Sequence, residues 1–551
     1  MHRGWRGVNI LAFACELNFE FLALGQCLGW MTFWIQFANP AVAKPGADAF
    51  RDQDTDRWVM RYDLVVVAQT PTGVEYRDTL RELWGSIMTS IVTSIVTRSD
   101  QQDGARLPRG LANSGDGKMK ETRVRVLILS FCAMALTLFD STILLAQLNA
   151  GALKITPDDW PWWRGPNRDG VVFPEVMPPI RWSESENVQW RVPVVGRGHG
   201  SPIVLGNRVF LATADKEQEV QVVLCWDRRT GQRVWEATVH RGGFQNRSGK
   251  PANEKASLAS STMATDGHQL YVNFLNDNAV HTSALTLQGE VIWQQRVCDY
   301  TVHQGYGTSP ALYQNLVLVS ADNKAGGAIA ALDRATGEIL WLRSRPKKPN
   351  YVSPNVMHLH GKDQLILSGC DLVTSLNPLT GEVIWEIEGS TTECVTTSVT
   401  DGEHVFTSGG YPTNHLAAVR ADGTGEIVWQ RNTRVYVPSM LQHDGYLYAT
   451  LDAGVASCFR CSDGKEMWKA RLGGTFSGSP VMVGDRIYAT NEDGTTFIMR
   501  ASPEGFEQLG KNQVGDNVFA TPAICGGQIF LRVAKMENGR RNEYLYCIST
   551  K

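Results

Sequence analysis

The chain has 551 residues, 43% hydrophobic and 9% aromatic, with 53 Lys and Arg against 56 Asp and Glu for a net charge of −3. That composition supports a packed globular core, and the near balance of charge argues against nucleic acid as the main partner, which would leave a basic excess. Length alone suggests three or four domains. In residues 1–118 Glu16 and Glu20 interrupt an apolar stretch and Ile87 to Thr97 is of low complexity. From Met119 a basic start leads into the apolar run Val126 to Phe139 and on to the small residue Ala146. Segment 119–147 therefore has the build of a secretory signal peptide and is short for a transmembrane helix. A signal acts from a true N-terminus, so translation is expected to begin at Met119, with residues 1–118 an over-extended reading frame or a disordered region. The bulky Phe131 before Cys132 argues against lipid attachment. The expectation is an exported protein of the bacterial periplasm or cell envelope, with no transmembrane span when mature. Segment 148–184 forms an entry stretch containing Trp160-Pro161-Trp162-Trp163-Arg164-Gly165.

From residue 185 to 551 a unit of roughly 45 residues repeats, a period typical of propellers, solenoids or arrays. Its first landmark is a Trp on the last strand of each unit: Trp190, Trp235, Trp293, Trp341, Trp385, Trp429 and Trp468. Six of these follow a Gly-containing turn, among them Gly231, Gly289, Gly337, Gly381 and Gly464, which suits a backbone position of positive φ between the third and fourth strands. The second landmark is a small hydroxyl residue opening each unit, beginning with Ser201-Pro202 and ending with Thr521-Pro522, eight openings in all. Runs such as Leu447-Tyr448-Ala449-Thr450 and Ile487-Tyr488-Ala489-Thr490 are β-prone and bounded by turn residues.

Pairing the landmarks predicts an all-β, eight-bladed propeller of four-stranded blades. In the seventh blade Leu509 stands where Trp is expected. The eighth stops after Tyr544 to Ile548, and the segment around Trp190 supplies its missing strand, so both chain ends share one sheet and close the ring. The repeated Trp residues are expected to pack between blades.

These units resemble the PQQ-like β-propeller family, whose repeats carry a Gly-Lys/Glu-x-x-Trp turn after an apolar strand ending in Asp. Leu332-Asp333-Arg334-Ala335-Thr336-Gly337-Glu338-Ile339-Leu340-Trp341 is the clearest copy. The resemblance covers about residues 160–551, and the entry stretch looks like that of a bacterial branch similar to the propeller of the outer-membrane β-barrel assembly lipoprotein, a non-enzymatic scaffold. The family also includes quinoprotein dehydrogenases, which clamp PQQ under a disulfide of adjacent cysteines and hold Ca²⁺ with Glu, Asn and Asp. This chain has 11 Cys but no adjacent pair. Cys225, Cys458 and Cys547 fall at one repeated, small third-strand position, where free Cys commonly packs. No second Cys or His pair at zinc spacing accompanies Cys458 and Cys461. No catalytic residue, metal or cofactor is therefore predicted, and PQQ with Ca²⁺ belongs only to the alternative reading.

Propellers bind ligands at their faces and central channel, so the loops from each Trp strand to the next opening are the place to look. They carry His199, Asn253, Glu254, Lys255, His303, Tyr306, Tyr351, Tyr436, Phe476 and Phe519. The ligand-binding candidates are His199, Lys255, His303, Tyr306, Tyr351 and Tyr436, a mixture of rings and donors that suits a polar ligand or a peptide loop. The favoured function is a monomeric, non-catalytic propeller that binds an envelope or surface protein, peptide or polymer. A quinoprotein-like oxidoreductase of alcohols or sugars is one alternative. An accessory or sensory module of a surface system is another, although no kinase motif occurs in this chain.

Overall fold

The computed structural model describes residues 49–52, 57–60, 155–247 and 252–550. The chain divides into two units, 1–124 and 125–551. Of the first, two short strands, Ala49–Asp52 and Arg57–Met60, pair antiparallel. The expected signal segment 119–147, and all of 1–118 apart from those strands, lie outside the described residues. Among the described residues no helix is long and apolar enough to cross a membrane.

The second unit holds eight sheets and no helix among its described residues. Blade 1 spans 203–241, blade 2 264–299, blade 3 311–344, blade 4 355–388, blade 5 399–431, blade 6 441–471 and blade 7 481–513. Blade 8 takes three strands from 523–548 and its fourth from Val188–Val194, with Cys547 opposite Trp190 and Glu543 opposite Val194. The expected closure is thus the one observed. It is locked by Arg532, which pairs with Glu543 at 2.7 Å and reaches into blade 1 through the Ala212 carbonyl and the Thr213 hydroxyl.

A single local rule explains how successive blades fit. Each Trp lies opposite a small third-strand residue, at Cys225–Trp235, Ala284–Trp293, Ala331–Trp341, Ser375–Trp385, Ala418–Trp429, Cys458–Trp468 and Cys547–Trp190. A β-bulge follows every one of these pairs and turns the outer strand. The indole then lies on the turn of the following blade. A Cβ on Gly337 would come within 2.5 Å of Trp293, and one on Gly381 within 2.6 Å of Trp341, and both glycines have φ of +70° or more. Glycine is required there by contact as well as by conformation. Six of the seven indole N–H groups donate to a carbonyl of that next turn, from Trp190 to Arg228 at 2.9 Å through Trp468 to Ser502 at 2.7 Å. Trp385 differs, donating to Gln364 of its own blade at 2.9 Å.

Blade 7 requires a correction. Its register pairs Ile498 with Gly510 just before the bulge, so Gly510 holds the Trp position and Leu509 corresponds to Leu340, the bulged residue before Trp341. A side chain at Gly510 would meet the Ile180 carbonyl at 2.5 Å, because the entry stretch runs over this place. The stretch delivers Trp182, which stacks on Tyr488 with ring centroids 6.4 Å apart. Asn512 secures it, accepting from the Trp182 amide at 2.9 Å and donating to the Ile180 carbonyl at 3.1 Å.

These packing differences order the cost of truncation. Trp385 is 5% exposed, and Trp385→Ala should cost about 3–5 kcal/mol. The half-buried Trp341 loses less transfer energy, so Trp341→Ala should cost about 2 kcal/mol. Urea unfolding of both variants checks the order; equal losses, or none, would contradict it.

Candidate functional site

The strands of each blade alternate in direction, so the eight loops that lead into first strands gather at one end of the channel, with the hairpins joining second to third strands. The openings are tied to one another there. The Ser201 amide donates to Thr262 Oγ1 at 3.0 Å, Thr262 to Ser309 Oγ at 3.0 Å and Ser309 to Ser353 Oγ at 2.9 Å. After blade 4 the belt resumes from Thr397 to Ser439 at 2.9 Å, Ser439 to Ser479 at 2.9 Å and Ser479 to Thr521 at 2.8 Å. A hydroxyl is needed at these openings because a buried amide without an acceptor is costly. The landmark used to count blades is therefore an inter-blade bond.

The entry stretch occupies the other end of the channel. Trp160 exchanges two backbone bonds of 2.9 Å with Val204 of blade 1, and the Pro161 carbonyl accepts from Thr265 of blade 2. Arg168 lies 4.5 Å from the centre of the Trp162 ring and donates to Leu312 of blade 3, while the buried Arg164 donates to Met440 before blade 6. Val171–Val172 adds a parallel strand to blade 7. Trp163 gives its indole N–H to Thr397 Oγ1 at 2.8 Å and lines the bottom of the channel cavity.

That cavity has a volume of about 690 Å³ and is lined from all eight blades. His199, Lys255, His303, Tyr306, Tyr351 and Tyr436 all line it, as do Asn253, Phe476 and Phe519; Glu254 does not. Tyr306 is only marginally part of the wall. Its ring is buried between blades 2 and 3 against Tyr300, and its hydroxyl donates to the Ser320 carbonyl at 3.2 Å, so packing accounts for it. Phe476 is likewise a core residue.

Three charged groups of the wall are formed across loops. Lys255 of the blade 2 loop meets Glu492 of blade 7 at 2.7 Å, and Ser477 also donates to that carboxylate. Arg434 pairs with Asp452 at 2.7 Å. Glu393, 2% exposed, accepts from the Tyr436 hydroxyl at 2.9 Å and lies 3.3 Å from His303 Nδ1, which is 3.1 Å from the Tyr351 hydroxyl. Burial and then the Glu393 charge push both phenols upward, so they stay protonated and able to donate. His199 packs against Phe519 with the rings tilted and their centroids 4.4 Å apart, and burial, reinforced by Arg197, Arg532 and Arg541, holds its imidazole well below the usual histidine range.

Glu393, Tyr411, Arg434, Asp452, Glu492 and Trp163 were not among the sequence candidates. Two of them carried a signal: Tyr448-Ala449-Thr450-Leu451-Asp452 and Tyr488-Ala489-Thr490-Asn491-Glu492 place an acid at the same offset after the second strand.

The described cysteines are free, seven of the eight are buried, and none lines the cavity. Burial pushes Cys225, Cys458 and Cys547 up to about 12, so they are packed thiols and not nucleophiles. Both cations of the wall, Lys255 and Arg434, already hold carboxylates, and the described residues contain no group of three or more His, Cys, Asp and Glu side chains that could hold a metal ion.

A family model described as outer membrane protein assembly factor BamB matches residues 219–451 and 412–502. The chain belongs to this family of PQQ-like propellers. A search of curated proteins gives no significant match. The fold is similar to quinohemoprotein alcohol dehydrogenase from Comamonas testosteroni, at 13% identity and a TM-score of 0.54, covering 74% of this chain and 84% of that one. It is also similar to a europium-containing methanol dehydrogenase, at 11% identity and a TM-score of 0.51, covering 72% and 99%. At such identities the likeness is one of fold. BamB from Moraxella catarrhalis aligns over 65% of this chain and 99% of that one, at 12% identity and a TM-score of 0.47.

The state of His199 gives a pH dependence. Its folded pKa lies below its unfolded value, so the unfolded chain binds the proton first and stability falls as pH drops below about 6.5. His199 contributes at most about 1.4 kcal/mol per pH unit to that loss. Thermal melts at pH 7 and 5 should show a smaller drop for His199→Gln than for the parent; equal drops would place the imidazole in a charged state.

Proposed function

We propose that this protein is an exported, non-catalytic propeller that presents the open end of its channel as a binding surface in the cell envelope. The observation that carries this reading is the convergence of all eight loops on one cavity whose ionised side chains are already paired: Lys255 with Glu492, Arg434 with Asp452, and Glu393 with Tyr436 beside His303. A general base or nucleophile has to reach its substrate unencumbered. These groups are held by one another and suit orientation more than proton transfer. A rigid ring carrying several convergent loops is also how scaffolds acquire specific binding. The family description, an outer membrane assembly factor, supports a place in the envelope and a partner that is a protein, peptide or polymer.

The test has two arms. Dye-linked oxidation of alcohols and sugars after incubation with PQQ and Ca²⁺ should stay at background; saturable quinone binding with turnover would replace the scaffold by the oxidoreductase. In living cells, a photo-crosslinking residue at the exposed Glu254 should form adducts with envelope material, and one at the exposed Ser462, on the turn at the opposite end, should not. Adducts at Ser462 alone would move the functional surface to the other end.

A further inference from the structure

We propose that the channel cavity binds a neutral saccharide, the end or a short stretch of an uncharged glycan. This rests on the scaffold reading and names the chemistry of its ligand. The first argument is charge. The cavity presents the carboxylates Glu393, Asp452 and Glu492 and the cations Lys255 and Arg434, and both cations already sit 2.7 Å from a carboxylate. An incoming carboxylate, phosphate or sulfate would have to displace one of these carboxylates or lie buried without a counter-charge, and the one carboxylate without a Lys or Arg partner, Glu393, is 2% exposed and already accepts from Tyr436, which leaves an ammonium little access to it. His199 adds no cation, because its surroundings keep it neutral.

The second argument is the form of the hydrogen-bonding groups. Each ion pair sets a donor and an acceptor side by side, and each hydroxyl of a sugar is both donor and acceptor. A vicinal diol can therefore bond to both members of a pair without parting them. The outward members are reachable: the Lys255 side chain is 56% exposed and that of Arg434 44%. Thr262, Ser309, Ser353, Ser479 and Thr521 add hydroxyl oxygens deeper in the wall.

The third argument is apolar. Trp163 at the bottom and Tyr351, Tyr436 and Phe519 on the walls are only partly buried, and they give the cavity flat ring surface between its polar groups. A sugar ring has both kinds of surface, C–H faces and a hydroxyl rim, whereas a purely apolar ligand would leave the ion pairs desolvated. A volume of about 690 Å³ lies within the range of small-ligand pockets, roughly 300–1,000 Å³.

Saturation-transfer NMR and calorimetry on the full chain test this with matched disaccharides, cellobiose and N,N′-diacetylchitobiose against a digalacturonate. At least one neutral disaccharide should bind saturably with an affinity that salt hardly changes, and the acid should bind at least about tenfold more weakly, a difference of about 1.4 kcal/mol. Glu492→Gln releases Lys255 at the exposed rim and should close most of that gap in favour of the acid, with an unchanged circular dichroism spectrum. No binding by either neutral sugar, tighter binding of the acid to the parent protein, or a gap unmoved by Glu492→Gln would each overturn the assignment. Failure here with Glu254 adducts intact would remove the sugar alone. PQQ-dependent turnover would remove the scaffold reading beneath it.

Discussion

The bond from the opening amide to the hydroxyl of the next blade, made at six of the eight interfaces, is the constraint on which the rest depends. It fixes neighbouring blades at their inner edge, where the channel is, while the indoles fix them at the outer edge. Where both attachments are present they leave little freedom for a blade to tilt, so the loops above are held in a set relation. The two interfaces without a belt bond have other fastenings. Between blades 4 and 5 the Thr397 hydroxyl accepts from Trp163, and Asn355 donates to the Ser398 carbonyl at 3.2 Å. Between blades 8 and 1 the Arg532 guanidinium crosses the seam.

From this frame follows the asymmetry of the channel. One end is filled by the entry stretch, whose Trp160, Trp162 and Arg168 each engage a different blade. The other end stays open and carries the charged pairs. A single segment before the repeats thus does two structural jobs, closing the channel and supplying through Trp182 the aromatic group that blade 7 lacks. It belongs to the folded ring as much as any blade.

The ring was legible in the sequence because its rules are local and repeated. A Trp four residues after a turn Gly, and a hydroxyl at each opening, recur often enough to count blades and to place the closing strand. Blade 7 was misread by one position because the bulge shifts register, and register is invisible without knowing which third-strand residue lies opposite. The cavity was half legible. Loop position picked out His199, Lys255, His303, Tyr351 and Tyr436, yet it also picked out Tyr306, whose burial depends on the neighbouring blade. Glu393, Arg434, Asp452 and Glu492 acquire meaning only from partners on other loops, 237 residues apart for Lys255 and Glu492. Spacing along the chain carries no trace of such a pair.

The belt can be tested bond by bond. Ser309 Oγ is the acceptor for the Thr262 amide, and Ser479 Oγ for the Ser439 amide. Native-state hydrogen exchange on Ser309→Ala and Ser479→Ala should show each substitution releasing its own amide, Thr262 or Ser439, by about 1–3 kcal/mol of local protection, while the other amide stays protected. Unchanged exchange at both amides would contradict the belt as the constraint that holds the blades and shapes the cavity.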